Sequence, residues 1–233
     1  MTKLTNQEER SLPEQQKGFL SSKVHRRSFL QYAGMSAAGI ALVAAGCKKD
    51  KMIEGVYLGS GDIGILNYAY ALEQLEAAFY IQVVATFYTG ATADEKTFLT
   101  DIRDHEIAHR EFFKNALGGM AIPALEVDFS SIDFTSRASV LGTAMAFEDL
   151  GVTAYDGAGY LLKSGDYLLL AGKIVSVEAR HAALIRELVN ANSFLGAEVD
   201  ANSVNIARTP SEVLAIAGKY IKTKINAGDL PTS

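Results

Sequence analysis

Two copies of one pattern carry most of the chemistry this chain can offer: Glu106-x-x-His109 and Glu178-x-x-His181. The i, i+3 spacing puts both members of each pair on one face of a helix. The first pair lies in a seam of Ile102, Glu106, His109, Phe113 and Ala116, and the second in a seam of Ile174, Glu178, His181, Ile185 and Leu188. A lone carboxylate in an apolar stripe is expensive to bury unless it is paired or protonated. Two such seams facing each other double the cost, and a pair of metal ions removes it. Cys47 is the only cysteine, so Cys-rich zinc and iron–sulfur sites and an intramolecular disulfide are excluded by count. Any metal must be held by oxygen and imidazole.

Further carboxylates occur in a second internal repeat. The stretch from Ala71 through Glu73, Glu76 and Tyr80 aligns with the stretch from Ala146 through Glu148, Gly151 and Tyr155, and in both a Glu is followed seven residues later by a Tyr. Glu73 and Glu148 are 75 residues apart, while Glu106 and Glu178 are 72 apart, so the two halves of the body read as repeats of each other. One Glu from each of two helices, with Glu-x-x-His from each of two more, is the ligand set of a carboxylate-bridged pair of iron or manganese ions.

Helices must position these residues. Apolar residues return every three or four positions, which predicts helices at about 63–88, 95–117, 137–163, 167–191 and 210–225. Residues 89–94 and 164–166 are short connections that force antiparallel neighbours. Residues 118–136, with Gly118-Gly119 and Pro123, are long enough to return along the whole bundle: nineteen extended residues reach about 60 Å and a 23-residue helix spans about 35 Å. The expected fold is all-α, a four-helix bundle of residues 63–192 with one long crossover. Residues 193–233 add a fifth helix that opens on Thr209-Pro210-Ser211-Glu212, a capping residue, a first-turn proline and an early acid.

The body resembles ferritin-like domains, in particular the bacterial branch that includes desiccation-related proteins. The resemblance rests on Ala-Leu-Glu-x-Leu-Glu-Ala-x-Phe-Tyr from Ala71, His-Glu-x-x-His from His105, Glu-Asp-x-Gly-x-x-Ala-Tyr from Glu148 and Val-Glu-Ala-Arg-His from Val177. It implies two iron or manganese ions held by Glu73, Glu106, His109, Glu148, Glu178 and His181, with Glu106 and Glu178 bridging. Reaction type does not transfer with a fold, and the superfamily hosts iron oxidation, peroxide reduction, peroxide disproportionation and oxygenation.

Neighbouring residues have plainer readings. Glu76 is expected beside or at the rim of the site, and His105, turned about 100° from Glu106, at the surface or behind the ligands. Tyr80 and Tyr155 are expected as packed tyrosines with satisfied hydroxyls that could also bond ligand carboxylates. Arg103, Asp104, Asp149 and Arg180 read as ordinary exposed charges unless they orient ligands. Met145 is expected in the core.

Residues 1–47 read as an address. His25-Arg26-Arg27-Ser28-Phe29-Leu30-Gln31 leads into an apolar stretch over 32–46, the layout of an export signal. The stretch is shorter than the roughly 20 residues that span a bilayer. The paired arginines resemble a twin-arginine signal, and Ala44-Ala45-Gly46-Cys47 resembles a lipoprotein processing site, so lipid on Cys47 is expected to hold the protein at a membrane without a spanning helix. Residues 48–62 are expected to be a tether. Removing the first 46 residues takes six basic and three acidic side chains and leaves 16 against 24, a charge of −8, which disfavours nucleic acid as a partner.

The sequence thus carries two functional readings. One is a periplasmic or outer-membrane-tethered di-metal oxidoreductase that oxidises iron or reacts with dioxygen or peroxide in stress protection; ferroxidase, peroxidase and manganese-catalase-like activities all remain open. The other is a non-enzymatic envelope module with structural or no metal. Oligomeric state is left open, although an amino-terminal lipid and tether disfavour a closed storage cage.

Overall fold

The computed structural model describes residues 54–232; the export-signal segment and Cys47 lie outside the described residues. Strand β1 (Val56–Tyr57) precedes helices α1 (Gly61–Ala85), α2 (Ala93–Leu117), α3 (Arg137–Gly159) and α4 (Gly165–Val189), with a 3-10 turn at Gly118–Met120. Helix α5 (Pro210–Ala217) and strand β2 (Ile225–Asn226) close the chain. The fold is an all-α four-helix bundle with a C-terminal helix added to it. None of the described helices is long and apolar enough to cross a membrane.

Local chemistry sets the helix starts. Thr92 and Glu95 form a capping box at α2, Ser136 caps α3 through the Ser139 N–H, Ser164 caps α4 through the Tyr167 N–H, and Thr209 with Glu212 boxes α5. Each satisfies backbone donors that a helix leaves free at its first turn. At one end of the bundle the Asp62 carboxylate accepts the N–H groups of Lys163 and Ser164, both at 2.9 Å, tying the α3–α4 turn to the start of α1. At the other end Arg137 bonds Glu95 at 2.7 Å and the Leu188 carbonyl at 2.7 Å, joining α2, α3 and α4.

α1 is buried on nearly all sides, and its polar core residues show why. Asn67 donates to the carbonyls of Leu58 and Met120 and accepts from the Ile122 N–H; Gln74 accepts from the Leu125 N–H at 2.8 Å. These amides satisfy the crossover backbone as it runs back along α1, where helix pairing offers it no partners.

Several boundaries differ from the periodicity. α1 stops at Ala85 rather than 88, and the Thr89 N–H beyond it reaches the Thr135 carbonyl at 3.1 Å. α3 stops at Gly159 rather than 163, because Leu161 and Leu162 close tighter turns before the Asp62 contact. α4 spans Gly165–Val189 rather than 167–191, and Glu187 takes the N–H groups of Asn192 and Ser193 past its end. The largest difference is α5, which ends at Ala217 and not at 225. Beyond it Lys222 donates to the Glu126 carbonyl of the crossover, and Ile225 and Asn226 pair in parallel with Val56 and Tyr57. Extended pairing replaces helix there. The same pairing draws residues 56–62 of the expected tether into the body, with Leu58 fully buried. Val213 and Ala217 of α5 are buried, and the Tyr220 ring meets Phe147 of α3 edge-on at 4.8 Å.

Candidate metal centre

Each of the four long helices brings one completely buried carboxylate to the middle of the bundle. Glu73 on α1, Glu106 on α2, Glu148 on α3 and Glu178 on α4 are all 0% exposed, and His181 is 4% exposed. Their places follow from the seams: Ile102, Phe113, Ile174 and Ile185 are buried above and below the ionisable pairs, so the helix faces that pack must carry the carboxylates inward.

The two motifs face each other crosswise. His109 Nδ1 lies 2.7 Å from Glu178 Oε1, 3.5 Å from Glu73 Oε2 and 3.8 Å from Glu106 Oε2. His181 Nδ1 lies 2.9 Å from Glu106 Oε1, 3.5 Å from Glu148 Oε2 and 3.6 Å from Glu178 Oε2. The donor atoms fall into two groups, Glu73–Glu106–His109–Glu178 and Glu106–Glu148–Glu178–His181, each with atoms within 4.8 Å of one another. Glu106 and Glu178 belong to both.

These close approaches do not have hydrogen-bond geometry. Both oxygens of Glu106, both of Glu178, one each of Glu73 and Glu148, and Nδ1 of both histidines are buried without a hydrogen-bond partner. Unsatisfied buried polar atoms are rare in folded proteins and call for an explanation such as an ion. Here they converge, and the donor set of carboxylate oxygens and imidazole nitrogens suits a first-row divalent metal. The buried carboxylate and histidine cluster therefore fits metal.

The remaining oxygens of Glu73 and Glu148 are held from behind. Tyr80 on α1 donates to Glu148 Oε1 on α3 at 2.5 Å, and Tyr155 on α3 donates to Glu73 Oε1 on α1. The exchange leaves Oε2 of each carboxylate facing the cluster.

Burial and close charges compete in the metal-free cluster. Burial pushes Glu73, Glu148 and Glu76 above the ordinary carboxylate range, and burial together with the Glu178 charge raises Glu106 to about 8. For Glu178 burial is outweighed by His109 and His181, and its value falls. Burial likewise opposes charge on the two histidines but loses to the surrounding carboxylates, so both are raised, His181 to about 12. Crowded acids of this kind hold protons in place of metal.

Other sequence candidates fall into different places. Glu76 is buried outside both groups of donors, and a Cβ on Gly151 would stand 2.9 Å from its Oε1. Gly151 is the repeat counterpart of Glu76, a pairing that the internal alignment already contained. Asp149 is not a free surface charge but bonds Arg186 at 2.8 and 2.5 Å, and Arg186 also bonds Glu198. Arg103 pairs with Asp104 at the surface and Arg180 bonds Ser176 of its own helix. Met145 packs against the core. His105 is exposed yet places its Nδ1 2.8 Å from His181 Nε2.

A family model described as a ferritin-like domain matches residues 61–191, from the start of α1 to just past the end of α4. No curated protein matches the chain.

Proposed function

The chain belongs to the ferritin-like domain family, and from that premise we propose that its buried cluster is a dinuclear iron or manganese centre reacting with dioxygen or hydrogen peroxide. The observation that carries this reading is the sharing of Glu106 and Glu178 by both donor groups, each with two unpartnered oxygens. Glu73 with His109 and Glu148 with His181 complete one position each. Four carboxylates balance the charge of two divalent ions while both imidazoles stay neutral.

When bound, such an ion pair supplies a two-electron change to dioxygen or peroxide. The chain's own residues do the rest. Tyr80 and Tyr155 orient Glu148 and Glu73 so that one oxygen of each is offered inward. The buried Ile102, Phe113, Ile174 and Ile185 keep bulk water from the carboxylates and strengthen their electrostatic interactions.

The proposal extends to location. The Arg26-Arg27 signal and Ala44-Ala45-Gly46-Cys47 support export followed by lipid attachment at Cys47, which would hold the body at the periplasmic face of a membrane in a role against oxidative or desiccation stress. A twin-arginine route fits a metal loaded before export, since it carries folded proteins.

Metal analysis of protein isolated from its native host, followed by peroxide consumption and iron-oxidation assays, tests the reading. Two equivalents of iron or manganese with turnover are expected. Protein that contains no metal and takes none up returns the chain to the non-enzymatic envelope role.

A further inference from the structure

His105 precedes Glu106 on α2 and reaches across to α4, where its Nδ1 stands 2.8 Å from Nε2 of His181. The two rings are parallel to within 11°, with centroids 5.1 Å apart. His181 turns its other nitrogen, Nδ1, toward Glu106 Oε1 at 2.9 Å and Glu148 Oε2 at 3.5 Å. An Nδ1 that ligates a metal must offer a lone pair, so the proton of a neutral ring sits on Nε2. That Nε2–H has an acceptor in His105 Nδ1, provided His105 carries its own proton on Nε2. His105 is exposed, so this second N–H can be solvated without a protein partner.

The other half of the repeat lacks this arrangement. The 72-residue offset that relates Glu106 to Glu178 relates His105 to Val177, and a valine side chain cannot accept a hydrogen bond. The pseudo-symmetric ligands His109 and His181 are thus supported differently.

We propose that His105 is a positioning residue that fixes the proton of His181 on Nε2 and makes the metal position served by His181 the tighter of the two. The metal half of this inference rests on the dinuclear reading; the histidine pairing does not. Hydrogen-bond partners behind a metal-binding histidine orient the ring and raise its basicity, and their loss typically costs about 10–100-fold in affinity.

The test uses the full chain as wild type, His105→Ala and His105→Asn, since an Asn side-chain oxygen can take the place of Nδ1. Nitrogen NMR of the histidine rings in metal-free protein reports whether the His181 Nε2–H is scalar-coupled to His105 Nδ1. Anaerobic calorimetric titration with Mn²⁺ alone reports two binding steps. We expect the coupling in wild type and a loss of about 10–100-fold in one step only in His105→Ala, with recovery toward wild type in His105→Asn. An unprotonated Nε2, absence of the coupling, unchanged steps in His105→Ala or equal weakening of both would overturn the inference. Wild-type protein that binds neither Mn²⁺ nor, anaerobically, Fe²⁺ would overturn the dinuclear reading and the affinity difference with it, and the ring coupling would still decide the pairing.

Discussion

Tyr80 on α1 and Glu148 on α3 are joined by a 2.5 Å hydrogen bond in the interior of the bundle, and Tyr155 returns the same bond from α3 to Glu73 on α1. Each tyrosine therefore secures the carboxylate that belongs to the other hairpin. Replacing Tyr80 with Phe removes the donor and leaves Glu148 Oε1 buried and unsatisfied, a loss of about 1–3 kcal/mol. The expected result is a lower melting temperature for metal-free Tyr80→Phe and weaker manganese binding, measured by calorimetry. Tyr155→Phe should act alike, and wild-type values in both variants would show that the hydroxyls do not orient the carboxylates.

Metal should stabilise this fold by mass action. Saturation at a hundred times the dissociation constant contributes about 2.7 kcal/mol per site, and a chain of this size gains about 2–4 °C per kcal/mol. Wild type is expected to melt higher with iron or manganese in a concentration-dependent way. The Glu106→Gln/Glu178→Gln pair should abolish that increase, because the carboxylates shared by both donor groups are gone. Differential scanning calorimetry with and without metal decides it. No metal-dependent shift in wild type would mean that the cluster is not a metal site.

The raised acids also give metal-free stability a definite sign against pH. Glu106, lifted by burial and Glu178 from 4.5 to about 8, makes the folded state bind more protons than the unfolded chain across that window. Stability from Glu106 is therefore present at low pH and is lost as pH rises toward 8. His181, raised from 6.5 to about 12, acts in the same direction over a higher window. Glu178, which is lowered, acts oppositely and costs stability only as pH falls below the ordinary carboxylate range. In chelator the melting temperature should fall from pH 5 to 8, and Glu106→Gln should flatten the slope. Added manganese should oppose the fall, because metal displaces protons and binds better as pH rises.

Gly151 and Glu76 form a pair of another kind. A β-carbon at 151 would stand 2.9 Å from Oε1 of Glu76, whose carboxyl is confined by burial, so Gly151→Ala should destabilise the fold despite gaining about 1 kcal/mol in helix propensity. Glu76→Ala should restore that gain in the double variant. Urea denaturation of the four proteins gives the coupling energy, and simple additivity would show that the carboxyl does not depend on the missing side chain.

Cys47→Ala should leave the body folded and release it from the membrane or block its processing. Fractionation with an antibody to the body reads this out. Unchanged membrane association would assign anchoring to the apolar stretch over 32–46 or to a partner.

The bundle was legible because its signals are local and doubled. Glu106-x-x-His109 and Glu178-x-x-His181 share a helix face by spacing alone, and the length of 118–136 already implied a return along the bundle. Contacts between distant segments were not legible. Nothing near Val56 signals that it pairs with Ile225, so the sequence predicts a tether where β1 forms and a helix that continues through Tyr220 to residue 225. Asn67 and Gln74 read as ordinary polar positions until the crossover backbone lies against them. For His105, helix geometry indicated a turn away from Glu106, but only the packing of α4 against α2 shows that the turn ends on His181.

The pairing of β1 with β2 bears on how the chain folds. Glu54 and Lys224 meet at 2.6 Å although 170 residues separate them, and strands of two residues offer little to offset the entropy of closing so long a loop. The helical hairpins, made of near neighbours, have no such barrier and should assemble first. The β1–β2 clasp should then form last and open first, and its amide hydrogens are expected to exchange with solvent while the helices beneath remain protected.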